Sequence, residues 1–247
     1  MGFTSQTLLV PSGVEYATLD LALLRMMAEC GFIRWSEEPF TLRSGIESHV
    51  YVFGREDLTD NPDLSWLVGQ KLCHFLTAEY VRRNERRMPN LIGIPVAGTA
   101  LAAATSFTSE ASGYITPCSF PRMNWRLMRE YQKAHGAHKD GFVYGKPNPE
   151  RYWHIAIDNV VTNGKSKEEA AEHFDADGYD GKGMTNVIFI ERQQGGIARL
   201  RAKGFTDLLV VYNLLDITFA YRQLDLWPVE ALAKVEAEIK AHQFSAT

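Results

Sequence analysis

The chain has 247 residues, 45% of them hydrophobic and 23% charged, with a formal net charge of −4. That is enough apolar material for one α/β domain with additions, or for two small ones, and the slight acidic excess offers no global basic field for nucleic acid or an anionic membrane. Cys30, Cys73 and Cys118 are scattered without a Cys-x-x-Cys pair, which suits free thiols in a reducing compartment. No apolar run reaches the ~20 residues needed to span a bilayer, and no basic stretch followed by an apolar one opens the chain. A cytoplasmic protein is expected.

In chain order, Leu19, Leu23, Leu24 and Met27 recur at helical spacing before Gly31, predicting a helix over about 16–30. Phe40-Thr41-Leu42 and Val50-Tyr51-Val52-Phe53 read as short strands around Ser44-Gly45. A second helix is expected from Asp60, with Leu67, Val68, Leu72, Phe75 and Leu76 on one face and a basic run from Arg82 to Arg87 at its end. Strands then alternate with helices. The strands are expected at Leu91–Ile94, Tyr114–Pro117, His154–Asp158, Asn186–Glu191 and Asp207–Tyr212, and the helices at Ala100–Ser106, Lys167–Phe174 and Gly196–Ala202. Continuous apolar strands separated by helices predict an α/β fold, a mostly parallel central sheet covered on both faces. A last helix from Pro228 carries Val229, Leu232, Val235 and Ile239 on one stripe.

No repeat or linker divides the chain. A single domain over 1–247 is expected, with an N-terminal helix and hood to about residue 60, an α/β core to about 215 and a helical extension beyond. The segment Asn124 to Glu150 is polar and holds Gly136, Gly141 and Gly145; loops of such length are usually functional or disordered, and this one is a candidate lid. At its start, the basic and aromatic run Arg122 to Arg126 is too short for a nucleic-acid platform and is expected to anchor the loop. Asp175-Ala176-Asp177-Gly178 is similar to the start of a calcium loop, but Tyr179 breaks the acidic series and a helix-ending turn is expected.

The most informative stretch runs from His154 to Ser166. An apolar strand ends in Asp158-Asn159, and the turn Thr162-Asn163-Gly164-Lys165-Ser166 leads into the helix-forming run Lys167-Glu168-Glu169-Ala170-Ala171. Backbone N–H groups opening a helix form a phosphate cradle. Polar side chains at the C-terminal end of a strand lie where open α/β sheets hold their ligands. The combination suits a sugar phosphate, with hydroxyl-binding groups at one end and a phosphate cup at the other.

This stretch resembles the phosphoribosyl-pyrophosphate (PRPP) motif of the type I phosphoribosyltransferases. Asp158, Val160, Val161, Thr162, Gly164 and Ser166 fit, Asn159 stands where a second acid is usual, and Lys165 where a small residue is common. Four more stretches resemble the orotate phosphoribosyltransferases. They are Phe40-Thr41-Leu42-Arg43-Ser44-Gly45, the run Gly93 to Ala102 as a pyrophosphate loop, Arg129-x-x-x-Lys133-x-His135-Gly136 as a mobile catalytic loop, and Ile190-Glu191-Arg192-Gln193-Gln194-Gly195 at the base site. All five follow the family's order over roughly residues 15–205.

The resemblance implies the type I phosphoribosyltransferase fold and Mg²⁺-dependent transfer of phosphoribosyl from PRPP to orotate, giving orotidine 5′-monophosphate and pyrophosphate. It implies PRPP binding by Asp158, Asn159, Val160, Thr162, Asn163, Gly164, Lys165 and Ser166, with Ala97, Gly98 and Arg43. It implies orotate binding by Arg192, Thr162 and Arg43, and catalysis by Lys133, Arg129, His135 and Asp158. The loop lysine is expected to act across a homodimer interface, and Mg²⁺ to ride mainly on PRPP and water near Asp158; no nucleic-acid or membrane partner is expected. Asn159 removes a negative charge beside the ribose, Glu130 stands where a second lysine is frequent, and Ala97 where a lysine can occur. A phosphoribosyltransferase for another base, or a PRPP-binding regulator without turnover, remains the alternative.

Overall fold

The computed structural model describes residues 7–42, 44–54, 56–115, 120–132 and 141–245. A short antiparallel pair, β1 (Leu8–Leu9) and β2 (Glu15–Tyr16), opens the fold, and α1 (Thr18–Glu29) follows. Helix α1 starts without a side-chain cap at Ala17, but the Asp20 carboxylate accepts the Ala17 N–H at 3.1 Å. It stops where Gly31 adopts φ +78°. The hood is an antiparallel hairpin of β3 (Ile33–Thr41) and β4 (Glu47–Val52), with a register irregularity between Trp35 and Phe40. Strand β3 begins at Ile33, well before the expected Phe40, since the exposed Arg34, Glu37 and Glu38 mask the alternation in the sequence.

After a short α2 (Glu56–Asp60) and the long α3 (Pro62–Arg82), the core is laid down as β5 (Met88–Gly93), α4 (Ala97–Ile115), β6 (Asn124–Arg126), β7 (Tyr152–Val161) and α5 (Lys165–Ala176). It continues through β8 (Thr185–Glu191), α6 (Gly196–Ala202) and β9 (Leu208–Asn213), and closes with α7 (Leu214–Gln223) and α8 (Glu230–Ala241). The five core strands form one sheet, all parallel, in the order β6-β5-β7-β8-β9. Its strands are apolar on both sides because both faces are covered. Leu91, Ile155, Ile157, Val187 and Phe189 join the large core with α1, α3, α4 and α7. Their alternate neighbours Ile92, Ala156 and Ile188 join smaller cores built on α5 and α6.

Two expectations are corrected. The strand expected at Tyr114–Pro117 is not one where it is described, since α4 runs on through Ile115 and 116–117 lie outside the described residues. The edge strand is instead β6, inside the stretch read as a lid. That stretch is also less open than its composition suggests. Arg129 N–H donates to the Phe142 carbonyl and Tyr144 N–H to the Leu127 carbonyl, both at 2.9 Å, which closes a β-like stem. The stem is fastened to the end of α5, where the Asp177 carboxylate accepts the Phe142 and Val143 N–H groups and Phe142 stacks on His173. Asp177 and Gly178 (φ +84°) thus end a helix, as expected. Arg126 in the basic run is likewise an anchor, bonded to the Tyr179 hydroxyl and the Lys146 carbonyl. No helix among the described residues is long and apolar enough to cross a membrane.

At the opposite end of the sheet from the C-terminal strand ends, His154 is buried, with Asn90 against Nδ1 at 3.0 Å and the Asn148 N–H donating to Nε2 at 3.1 Å. Burial, then Arg126 and Arg87, push its pKa down from 6.5 to about 4. The unfolded chain therefore takes up this proton first as pH falls. His154's contribution is complete above pH 6.5 and is lost progressively down to about pH 4, by up to about 3 kcal/mol. His154→Gln should flatten the pH dependence of the unfolding free energy across that window, as urea titrations at successive pH values will read.

Candidate active site

Three strand ends and the hood meet in one cleft of about 280 Å³, lined by Leu42, Ser44 and Tyr51–Phe53 from the hood, Pro95–Ala97 after β5, Asp158–Val160 and Thr162–Ser166 around the end of β7, Glu169, and Arg192 after β8. It lies outside the carboxyl ends of parallel strands, where such sheets bind ligands. The structure brings together Asp158, Asn159, Val160, Thr162, Asn163, Gly164, Lys165, Ser166, Ala97 and Arg192 of the expected site residues. Gly98 sits just behind this wall. Arg129 lies apart from the cleft lining, at the lid stem, with its Cζ 4.1 Å from the centre of the Tyr144 ring and its Nε donating to the Tyr144 hydroxyl at 2.8 Å. Arg43, Lys133 and His135 fall outside the described residues.

The phosphate turn is built by glycine. Gly164 takes φ +82° as the cap of α5 and lies against Leu200 of α6; a side chain there would be strained and crowded. The Asn163 side chain accepts the Lys165 N–H at 3.1 Å, fixing the turn that opens the helix. The pyrophosphate-type turn is held as closely. Ile94 N–H donates to the Ile157 carbonyl at 2.8 Å, and Gly98 N–H to the Ile94 carbonyl at 3.0 Å. A Cβ on Gly98 would lie 2.2 Å from the Ile157 oxygen, and one on Gly93 would lie 2.3 Å from the Gly98 oxygen. Only glycines let this turn lie flat on β7.

At the end of β7, the two polar residues are already engaged. Asp158 Oδ1 accepts the Asn159 N–H at 2.8 Å, and Asp158 Oδ2 lies 2.5 Å from the Lys167 ammonium. The Asn159 amide makes a long 3.4 Å contact to the Phe53 carbonyl. A carboxylate at that position could not donate to this hood oxygen, which gives the amide a physical role.

Arg192 is nearly fully buried. Its Nη2 donates to Ser48 Oγ at 2.6 Å, Nη1 to the Val50 carbonyl at 3.0 Å, and Nε to Gln194 Oε1 at 3.2 Å. Burial lowers its pKa to about 10, against the opposing pull of Glu238. Glu238 on α8 accepts from Ser48 Oγ at 2.7 Å and from the His49 N–H at 2.8 Å. The guanidinium therefore clips the hood to β8, using one hydrogen of each Nη.

Sequence reasoning left out Tyr51 and Phe53, which wall the cleft, and Lys167, which lies under it; Pro95 and Val96 belong to the run expected as a pyrophosphate loop. Lys167 had a legible signal. With Ala170, Ala171 and Phe174 it completes an i, i+3, i+4, i+7 stripe that is buried in the structure. A lysine on the apolar stripe of a helix announces an internal partner.

No family model matches the chain. The orotate phosphoribosyltransferase of Nostoc sp. (strain PCC 7120 / SAG 25.82 / UTEX 2576) is 24% identical over 215 residues, covering 87% of this chain and 92% of its own length. The uridine 5′-monophosphate synthase of Bos taurus is 28% identical over 207 residues, covering 84% of this chain but 38% of that longer protein. Among solved structures, Leishmania donovani UMP synthase matches with a TM-score of 0.66 and 22% identity, over 90% of this chain and 42% of its own. The Francisella tularensis orotate phosphoribosyltransferase matches with a TM-score of 0.62 and 16% identity, over 90% and 100% of the two chains. These structural likenesses concern the fold.

Proposed function

We infer that this chain is a type I phosphoribosyltransferase, and specifically an orotate phosphoribosyltransferase that moves the 5-phosphoribosyl group from PRPP to orotate and releases pyrophosphate. The observation that carries the reading is the meeting, in one cleft, of the phosphate turn opening α5, the polar pair ending β7 and the buried guanidinium after β8. Asp158 and Asn159 hold the ribose hydroxyls, the backbone of Thr162 to Ser166 holds the 5′-phosphate, and the turn from Pro95 to Gly98 holds the pyrophosphate. Tyr51 and Phe53, with ring centroids 4.4 Å apart, and Arg192 form the base side. Arg192 meets the orotate carboxylate with its remaining hydrogens.

Bond cleavage leaves positive charge on the sugar carbon and negative charge on pyrophosphate, so a preorganised acceptor at the ribose and cations at the leaving group lower the barrier. Arg43, Arg129, Lys133 and His135 are assigned to the leaving-group and base side by their motifs. Among the described residues no cluster of His, Cys, Asp or Glu is large enough to hold a metal. Asp158 offers at most one carboxylate, so Mg²⁺ fits here as a passenger of the donor, held by phosphate oxygens and water. When bound it supplies charge neutralisation at pyrophosphate.

The test is loss of orotate absorbance on mixing with PRPP and Mg²⁺, across a panel of bases. Turnover of orotate alone is expected; turnover of a different base in its place would overturn the reading. PRPP binding with no turnover of any base would instead favour the regulator, toward which the Asp158–Lys167 pair and Asn159 point. Lys133→Ala should lower kcat by about a hundredfold with PRPP affinity little changed. We assign the active form to a homodimer with Lys133 reaching its neighbour. Mixing equal amounts of Lys133→Ala and Asp158→Ala, each inactive alone, should then restore about a quarter of the wild-type sites. No recovery would place the lysine in its own subunit.

A further inference from the structure

The Lys167 side chain is 2% exposed and lies beneath the phosphate turn. Its ammonium is 2.5 Å from Asp158 Oδ2, donates to the Val160 carbonyl and lies 3.4 Å from Ser166 Oγ. These three partners match the three hydrogens of an ammonium. Lys167 therefore acts on a bound donor through Asp158 rather than by touching it. The placement is costly in two ways. A cation in the first turn of α5 opposes the helix dipole, and a buried ammonium is tolerated only when paired. The Asp158 carboxylate answers both.

Resting on the reading of the cleft as a PRPP site, we propose that Lys167 is a positioning residue and internal counter-ion. It fixes the Asp158 carboxylate for the ribose hydroxyls and cancels its charge, so that PRPP binds without a divalent cation. Asp158 and Lys167 sum to zero charge and Asn159 adds none, so the ribose end of the cleft is neutral. Without Lys167, a lone carboxylate would face a donor bearing several phosphate charges, and a divalent cation would be needed to offset it. Oδ2 is locked by the ammonium, and Oδ1, which already accepts the Asn159 N–H, keeps acceptor capacity for a ribose hydroxyl.

Calorimetric titration of PRPP into wild type, Lys167→Met and the double variant Asp158→Asn/Lys167→Met, each in EDTA and in Mg²⁺, tests this. Wild type should bind in EDTA within about threefold of its affinity in Mg²⁺. Lys167→Met should lose more than about tenfold in EDTA and recover most of it with Mg²⁺, the size expected for one unscreened charge near the phosphates. The double variant, with both charges gone, should unfold near the wild-type temperature and bind PRPP equally with and without the metal. An equal loss for Lys167→Met in both conditions, or none, overturns the proposal. If that variant does not fold, Lys167→Gln decides: it can still hydrogen-bond Asp158 but carries no charge, so it should show the same loss of PRPP affinity in EDTA and recovery with Mg²⁺, and an affinity that does not depend on the metal overturns the proposal. Failure of wild type to bind PRPP even with Mg²⁺ would instead sink the functional reading itself.

Discussion

Replacing Arg192 with methionine should lower kcat/KM for orotate by on the order of a thousandfold, about 4 kcal/mol, the range for removing one partner of a desolvated, hydrogen-bonded charge pair. The guanidinium has two duties that the variant removes together. It would bind the orotate carboxylate, and it holds Ser48 Oγ and the Val50 carbonyl of the hood. Removal also strips the buried Ser48 hydroxyl, the Val50 carbonyl and the Gln194 amide of a donor, so a loss of folding stability of about 3 kcal/mol or more is expected alongside. The base series separates the duties. If Arg192 reads the carboxylate, the variant loses its preference for orotate over uracil while calorimetric PRPP affinity stays near wild type. A parallel fall for both bases and for PRPP would reduce Arg192 to a structural clip. Arg192→Lys keeps the charge but loses the planar fork, and should recover stability more than selectivity.

The second large effect is expected at Gly98. An alanine methyl would sit 2.2 Å from the Ile157 carbonyl oxygen, a backbone atom inside the central strand that cannot swing aside. Over-packing against backbone costs about 3 kcal/mol or more, which should lower the melting temperature by roughly 6–12 °C for a domain of this size. The turn from Pro95 to Gly98 must also lift off β7, so PRPP affinity should fall even in protein that remains folded. Gly13→Ala is the control: its φ is +85° but nothing lies within 4 Å of the new methyl. It should cost about 1 kcal/mol from backbone strain alone. Similar melting temperatures for the two variants would refute the close-packing account.

Much of this architecture was legible in the residues because β5, β7, β8 and β9 are continuous apolar runs, and only burial on both faces explains such runs. The strand expected at Tyr114–Pro117 failed because residues of high strand propensity there continue a helix that tertiary packing had already started at Ala97. Strand β6 escaped notice because Asn124-Trp125-Arg126 is short, polar and at the sheet edge. In the site, Asp158, Asn159 and the glycine turn could be read locally, since neighbours in sequence build them. The partners of Arg192 could not, because Ser48 is 144 residues away in the chain. Lys167 was read only as part of a helix-forming run, although its place on the stripe with Ala170, Ala171 and Phe174 argues for the interior.

The final helix and the residues after it are bound into the same region. Glu238 holds Ser48 and His49, Phe244 N–H donates to the Gln194 carbonyl, and the Gln243 amide donates to the Gln193 carbonyl. The last described stretch of chain thus serves as a latch on both walls of the nucleobase pocket. By thermodynamic reciprocity, whatever stiffens that latch raises affinity for a ligand lodged against Arg192 by the same factor with which that ligand quiets the latch.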